Sequence, residues 1–219
     1  MRIAFASVAA AAALALASPA RAQFVPQAGG ASTGVHVFGI VEGASMLAKE
    51  SFDAVLADSV GSTPVFAGAG VEATGLWKGV FARVTVTHTL TKGSRVFVDS
   101  SGKAFPLNIP LTIKMTPIEI GGGWRFGDGA VRPYVGAAVL MQRYTETSEH
   151  ATADENVEST DSGQTIFGGV QLGFGLARVG LEALYRHVPD VIGVAGVSEA
   201  YGETNLGGRV FRVTFGVEF

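Results

Sequence analysis

The sequence contains no cysteine, and after its first 17 residues it has no apolar run long enough for a membrane-spanning helix. The lack of cysteine excludes a disulfide framework, a thiolate metal site and a lipid-modified N-terminal cysteine. Charge is sparse too, because 16 lysines and arginines stand against 19 aspartates and glutamates. There is no clustered basic face of the kind that nucleic-acid binding needs.

The N-terminal segment has the features of a secretory signal. Arg2 supplies a positive charge, residues 3–17 are rich in alanine and leucine, and Ala20-Arg21-Ala22 is a small-x-small cleavage site. The apolar run is shorter than the ~20 residues that a membrane-spanning helix needs. We therefore expect residues 1–22 to be a cleaved signal peptide that exports the chain.

The rest of the chain is expected to be a flexible lead over residues 23–33 and a single domain over 34–219. Alternation is strictest at the end of this domain, where every second residue from Phe211 to Phe219 is apolar and the residues between are polar or glycine. A β-strand with this pattern has one apolar and one polar face. A positive mean hydropathy without long apolar runs is typical of alternating strands in a lipid-facing barrel.

Eight segments of this domain are candidate strands. They are 34–47, 64–75, 80–91, 109–126, 131–145, 163–176, 179–188 and 208–219. Short connections alternate with long ones along the chain. The short ones lie around Trp77-Lys78, Gly127-Asp128-Gly129 and Ala177-Arg178, and the long ones are 48–63, 92–108, 146–162 and 189–207.

An export signal, an even number of alternating strands and a final strand ending in Phe219 together resemble the OmpA/OmpX-like family of eight-stranded outer-membrane β-barrels. The resemblance implies an all-β, antiparallel up-and-down transmembrane barrel with short periplasmic turns and long extracellular loops. It implies location in the bacterial outer membrane, in contact with lipid and lipopolysaccharide. It also implies that the barrel-assembly machinery recognises the C-terminal strand through Phe211, Phe215 and Phe219.

The polar faces of the candidate strands carry charges of both signs. These are Glu72, Arg83, Lys114, Glu119, Glu182, Arg186, Arg212 and Glu218. An eight-stranded barrel has an interior just wide enough for side chains, and buried charges must be paired. Four acids and four bases predict a structural salt-bridge network that plugs the barrel. A narrow ion path stays open as the alternative, although a selective pore usually shows an excess of one charge.

The second hairpin predicts one particular ion pair. A turn centred between Trp77 and Lys78 places Glu72 directly opposite Arg83 on the neighbouring strand. Because directly opposed side chains on one face touch, we predict a Glu72–Arg83 pair inside the barrel.

The fourth strand changes phase near Pro117. Its apolar residues have odd numbers from Leu111 to Met115 and even numbers at Ile118 and Ile120. We interpret Pro117 as a β-bulge that shifts the strand by one residue and leaves Lys114 on the interior face. The faces of the first and fifth strands cannot be fixed from the pattern.

Tyr185-Arg186-His187 invites comparison with a catalytic motif. The lipid A deacylase family, which also consists of eight-stranded barrels, carries an Arg-His-x-Ser run with histidine and serine on one face. Here His187 is followed by Val188 and Pro189, and proline offers no hydroxyl nucleophile. We predict a non-enzymatic protein without catalytic residues, with a lipid-modifying enzyme of the outer leaflet as the alternative.

Other features predict structure rather than chemistry. Trp124, Phe126, Phe219 and Tyr185 are candidates for interfacial aromatic belts. The carboxylates of 146–162 do not match a Ca²⁺-loop template, so a solvated loop is expected, with weak divalent binding as the alternative. The histidines do not show metal-ligand spacing, and no cofactor or metal site is expected.

The connection after the third strand is expected to extend that strand and the next one outward. Val96–Val98 and 103–107 flank the turn sequence Asp99-Ser100-Ser101-Gly102. We therefore expect a surface barrel that acts in envelope integrity or in surface binding through its extracellular loops, with a small-solute channel as a further alternative. The sequence identifies no ligand.

Overall fold

The computed structural model describes residues 33–56, 63–149, 156–193 and 196–219. Eight antiparallel strands form a closed barrel in which each strand pairs with its sequence neighbours and the last strand pairs with the first. The strands are β1 Gly34–Met46, β2 Val65–Trp77, β3 Val80–Val98, β4 Ala104–Arg125, β5 Val131–Ser148, β6 Val157–Phe174, β7 Ala177–His187 and β8 Gly208–Glu218. The predicted eight-stranded up-and-down barrel is confirmed, whereas the predicted signal peptide and nearly all of the lead lie outside the described residues.

The barrel has two different ends. The turn end carries the tight connections around Lys78, Asp128 and Gly175 together with Phe219. The loop end carries two short helices, α1 Lys49–Val55 between β1 and β2 and α2 Gly196–Ala200 between β7 and β8. No helix in the described part of the chain is long and apolar enough to cross a membrane.

Several connections differ in detail from the predicted ones; the predicted loop 146–162, for example, is shorter, because β5 extends to Ser148 and β6 begins at Val157. The β6–β7 turn is Gly175-Leu176, two residues before the predicted Ala177-Arg178, because Gly175 supplies the positive φ of 64° that the turn needs. Strands β3 and β4 extend past their neighbours as a long hairpin, since pairing of β3 with β2 stops at His88 and pairing of β4 with β5 stops at Leu111.

Side chains alternate between the interior and the exterior along every strand. Interior positions hold buried aromatic and charged residues such as Phe81 and Glu119. Exterior positions are apolar and exposed, with Val139 at 66% and Phe211 at 75% of full exposure. The exterior members define an apolar band: Val35, Val41, Val71, Val84, Val86, Ile120, Val135, Val139, Ile166, Leu181, Phe211 and Phe215.

The predicted bulge at Pro117 is wrong. Pairing of β4 with β5 runs without a break from Leu111 to Arg125, and Pro117 is buried in the interior like Glu119. Lys114 is therefore on the exterior and exposed, not in the lumen as predicted. The irregularity of the β3–β4 ladder lies higher in the hairpin, between Ser94 and Val96, opposite the segment that contains Asn108 with its φ of 56°.

An apolar core fills the barrel at its loop end. We call it the loop-end core, and its members are Ala48, Phe52, Val55, Leu56, Leu111, Ile113, Met115, Val188, Val191, Leu206 and Val210. Helix α1 approaches β3 closely at Gly93, where an added Cβ would lie 2.3 Å from the carbonyl oxygen of Val55. This core explains the phase of β4, because its odd-numbered apolar residues face the core and not the lipid.

Candidate functional site

Arg212 lies at the centre of a buried ionic network. Its Nε donates to Glu42 Oε2 at 2.7 Å, its Nη1 to Glu182 Oε1 at 3.1 Å and its Nη2 to Glu119 Oε2 at 2.6 Å. The register places Glu42 of β1 and Glu182 of β7 directly opposite Arg212, while Glu119 reaches it from β4 across the lumen. A guanidinium with five N–H donors in a planar fork can satisfy three carboxylates at once.

Two further arginines complete this central network. Arg186 contacts Glu119 at 3.0 Å and Glu42 at 2.8 Å. Arg83 binds both carboxylate oxygens of Glu182, with Nη2 to Oε1 at 3.0 Å. Three arginines therefore balance three glutamates, as buried charges require. We call Glu42, Arg83, Glu119, Glu182, Arg186 and Arg212 the central network.

Threonine hydroxyls satisfy the remaining acceptor sites of two of these carboxylates. Thr85 and Thr165 donate to the two oxygens of Glu119 at 2.8 and 3.1 Å. Thr87 donates to Glu42 Oε1 at 2.9 Å. A buried network is most stabilising when its members are satisfied. The hydroxyls supply donors to the carboxylates, whereas Arg83 Nε and Arg186 Nη2 make no hydrogen bond within the described residues.

A second group of charges lies towards the turn end. Arg125 pairs with Glu72, and His36 Nδ1 is 3.9 Å from Glu72 Oε1. At the rim, Glu218 contacts Arg178 at 2.5 Å and Arg132 at 3.2 Å. The interior thus consists of stacked layers: rim charges, the Glu72 pair, the central network and the loop-end core.

The layers place paired charges and apolar side chains across the lumen. Within the central network every ionised group contacts an opposite charge, and the side chains of Arg212, Glu42 and Glu182 have no exposed surface. Groups that are committed to one another in this way are not available for general acid–base work. An ion that crossed the layer would have to separate buried pairs, which is costly in a low-dielectric interior.

The predicted lumen charges are placed as follows. Glu72, Arg83, Glu119, Glu182, Arg186 and Arg212 are buried in the interior, Glu218 is half-buried at the turn-end rim and Lys114 is outside. Glu72 and Arg83 are directly opposed as predicted, but the turn is centred between Lys78 and Gly79, and a register shift between Ala73 and Trp77 brings the two residues opposite one another. The predicted ion pair between them is wrong. Because the lumen is narrow, their long side chains reach other strands: Arg83 reaches Glu182 and Glu72 reaches Arg125.

The sequence reasoning missed Glu42 and Arg125. Glu42 lies on β1, whose faces the pattern left open, although its register partner Arg212 had been predicted to face inward. Arg125 ends β4 beside the exposed Phe126, so it resembles a turn residue. Alternation from Glu119 through Gly121 and Gly123 identifies Arg125 as an interior residue once the strand is taken as continuous.

The histidine of the catalytic comparison is on the outside of the barrel. His187 is exposed, and its Nδ1 lies 2.6 Å from the side-chain nitrogen of Asn205. The same asparagine accepts a hydrogen bond from the backbone N–H of Val188 at 3.1 Å. His187 is therefore held in a loop contact, and Pro189 occupies the position at which the deacylase motif has its serine.

The remaining predicted features lie at the surface. Phe211 and Phe215 are exposed on the exterior of β8, and Phe219, which directly follows β8, is exposed as well. Trp124 packs edge-to-face against Trp77 at 5.8 Å at the turn end. In the acidic segment, Glu158 pairs with Arg143, while Asp154 and Glu155 lie outside the described residues. Among the residues described, no group of three or more histidine, aspartate or glutamate side chains is placed to hold a metal ion.

A closed eight-stranded antiparallel barrel with an apolar exterior and a charged interior has the fold of the small outer-membrane β-barrel proteins. No protein-family model matches the chain, and no curated protein matches it in sequence.

Comparison with solved structures supports the fold. The chain is similar to Ail, the attachment invasion locus protein of Yersinia pestis, solved in complex with the heparin analogue sucrose octasulfate, at 11% identity and a TM-score of 0.51 over 86% of this chain and 100% of that chain. Neisserial surface protein A matches at 14% identity and a TM-score of 0.47, covering 85% and 95%. The N-terminal barrel of Pseudomonas aeruginosa OprF matches at 13% identity and 0.45, covering 86% and 100%. At 11% identity, the likeness to Ail is one of fold alone.

Proposed function

We propose that the protein is a non-enzymatic barrel of the bacterial outer membrane with a closed interior, which acts in envelope integrity or surface binding through its loop end. The observation that carries this proposal is the central network around Arg212, which spans the lumen beneath the loop-end core. A lumen filled by paired charges and an apolar core supports a structural or binding role and opposes a channel.

The apolar band supports the membrane location. Its valine, isoleucine, leucine and phenylalanine side chains surround the barrel, as expected where strands face hydrocarbon. In outer-membrane barrels short turns face the periplasm, so the turn end is periplasmic and the loop end is extracellular in this proposal. Residues 1–22 would then be the cleaved signal peptide, and Phe211, Phe215 and Phe219 the segment that the barrel-assembly machinery recognises.

Conductance is the direct test of a closed interior. We expect the purified protein, inserted into a planar lipid bilayer, to give no stable current steps above background, because the central network and the loop-end core block the lumen. Protease protection of the strands in vesicles made from the same preparation serves as the control for insertion. Reproducible, stable steps from protein shown to be inserted would contradict the proposal and favour the channel alternative.

The enzyme alternative has no support from the site. His187 is on the exterior and contacts Asn205, and Pro189 has no hydroxyl to act as a nucleophile. The proposed role therefore depends on surfaces at the loop end and on the barrel exterior.

A further inference from the structure

Four polar residues of the turn-end interior form a cluster whose hydrogen bonding is incomplete. His36 on β1 is directly opposite Glu72 on β2, Gln171 reaches His36 from β6, and Arg125 of β4 pairs with Glu72. We call these four residues the His36 cluster. All four are buried, yet His36 Nε2, Gln171 Oε1 and Arg125 Nε have no hydrogen-bond partner within the described residues. Because buried polar atoms are normally hydrogen-bonded, this cluster is a candidate for a second arrangement.

The imidazole ring of His36 is held in place from two sides. It stacks on Phe38 with 4.7 Å between the ring centroids, and a Cβ added at Gly216 of β8 would lie only 2.7 Å from Nε2. The other ring nitrogen, Nδ1, is directed at the rest of the cluster. Gln171 Nε2 donates to it at 3.4 Å, and Glu72 Oε1 lies 3.9 Å from it. In this arrangement Nδ1 is an acceptor, so the ring is neutral and carries its proton on Nε2.

A proton on Nδ1 would change the character of both contacts. The neutral ring presents a lone pair to the carboxylate of Glu72, whereas a protonated ring would form an ion pair with it. Rotation of the Gln171 amide by 180° would then present Oε1 to the new N–H group. The protonated arrangement therefore gives Gln171 Oε1 the partner that it lacks in the neutral one.

Glu72 is the carboxylate that a second cation in this layer would have to use. Glu218 is opposite His36 on the β8 side, but Arg178 and Arg132 already hold it at 2.5 and 3.2 Å. The titratable groups on the interior face around His36 are Glu72 on β2, Arg83 on β3, Arg125 on β4, Arg132 and Tyr134 on β5, Arg178 on β7 and Glu218 on β8.

Protonated His36 and Arg125 would compete for this one carboxylate. Two cations on Glu72 leave a positive charge uncompensated in a low-dielectric interior, which is costly. The ring of His36 is fixed, whereas Arg125 is the last residue of β4 and lies beside the exposed Phe126. Arg125 is therefore the cation that can turn towards water at the rim.

We propose that His36 is an acid-sensitive switch at the turn end of the barrel. When Nδ1 takes up a proton, His36 binds Glu72, the Gln171 amide turns over and Arg125 leaves the carboxylate for water. Loss of the proton restores the Arg125–Glu72 pair. The central network consists of arginine and glutamate, whose ordinary titration lies outside pH 5–8, so the lumen stays closed in both states. The inference concerns the turn end and does not depend on the proposed role of the loop end.

The two tryptophans of the chain report on this end of the barrel. Trp124 directly precedes Arg125 and packs against Trp77. We expect tryptophan emission of the full-length barrel, refolded in detergent, to change in one step between pH 8 and pH 5, the range in which histidine side chains titrate. His36→Phe should abolish this step. His187→Gln is the matched control, because His187 is exposed at the loop end, and this variant should retain the step.

Nitrogen NMR of the histidine rings in the wild type tests the proton itself. The His36 ring should carry a proton on Nε2 alone at pH 8 and on both nitrogens at pH 5. The amides of Arg125 and Phe126 donate to Gly79 and Pro133 at 2.9 and 2.8 Å, and their exchange protection should fall about tenfold at pH 5.

Two outcomes would overturn the proposal. One is a His36 ring that keeps a single proton at pH 5, and the other is an emission step that persists in His36→Phe. The ring measurement needs no variant, so it decides the question even if His36→Phe does not fold.

Discussion

At the scale of single residues, Arg212 has the largest expected effect on stability. It contacts three glutamates, and its side chain has no exposed surface. Removing a buried cation leaves carboxylates in a low-dielectric interior without compensation, and this costs more than the pair itself contributes. Arg143 offers a matched comparison, because it makes one ion pair, with Glu158, and both side chains are 63% exposed.

We predict that Arg212→Met lowers the free energy of unfolding by about 3–5 kcal/mol. For Arg143→Gln we expect a change of at most about 1 kcal/mol, because exposed ion pairs are screened by solvent. Urea unfolding followed by tryptophan fluorescence in the same detergent measures both variants. Similar small changes in the two variants would show that the central network does not stabilise the fold.

The alternation of residues allowed several side chains to be placed from the sequence. Arg83, Glu182 and Arg212 were assigned to the interior because apolar neighbours on both sides fixed the faces of their strands. Lys114 was misplaced because Leu111 and Met115 were assumed to face lipid. Near the loop end of β4 the apolar residues Leu111 and Met115 face the loop-end core, and the polar residue between them, Lys114, is on the exterior.

At the scale of elements, α1 depends on contacts from outside itself. It has seven residues, too few for a stable isolated helix, and Ala48 at its N-cap provides no side-chain hydrogen bond. Glu203, in the β7–β8 connection, accepts hydrogen bonds from the backbone N–H groups of Glu50 at 3.0 Å and Ser51 at 2.8 Å. A distant carboxylate thus does the work of the missing cap.

We predict that Glu203→Ala loosens α1. Loss of the cap should cost about 0.5–2 kcal/mol of local stability and raise amide hydrogen-exchange rates in the Lys49–Val55 segment. Glu199→Ala is the control, since Glu199 is exposed on α2 and should leave those rates unchanged. Equal exchange in wild type and E203A would show that apolar packing alone holds the helix.

These contacts explain why the sequence predicted the strands better than the loop end. The alternation of apolar and polar residues along a strand indicates which face each residue occupies, so the faces can be predicted from the local sequence. Glu203 is 153 positions from Glu50 and 152 positions from Ser51, and the sequence around these residues gives no sign of the contact. The same holds for Arg125 and Glu72, which are 53 positions apart and meet only because the lumen is narrow.

At the scale of the whole molecule, barrel closure connects every strand to two neighbours. A closed barrel has no exposed edge from which unfolding could begin, and here its interior is also filled with ion pairs and apolar residues. Such a structure should resist detergent at room temperature. The whole barrel should then open in a single step on heating.

We predict that an unboiled sample migrates differently from a boiled one on a detergent gel, because the closed barrel keeps its compact shape until it is heated. Far-ultraviolet circular dichroism of the same samples should show β-structure before heating and its loss afterwards. Identical migration, with no β-signal in the unboiled sample, would contradict a detergent-resistant barrel.

The central network also favours one register between the first and the last strand of the barrel. A strand that slips by two residues keeps its side chains on the same faces, so hydrophobicity alone does not prevent it. Such a slip of β8 along β1 would place Arg212 opposite Ile40 or Ala44 instead of Glu42. The buried guanidinium would then face an apolar side chain and lose its ion pair with Glu42. The pairing of β8 with β1 therefore has one favourable register. The buried charges select this register from alternatives that the apolar pattern alone would allow.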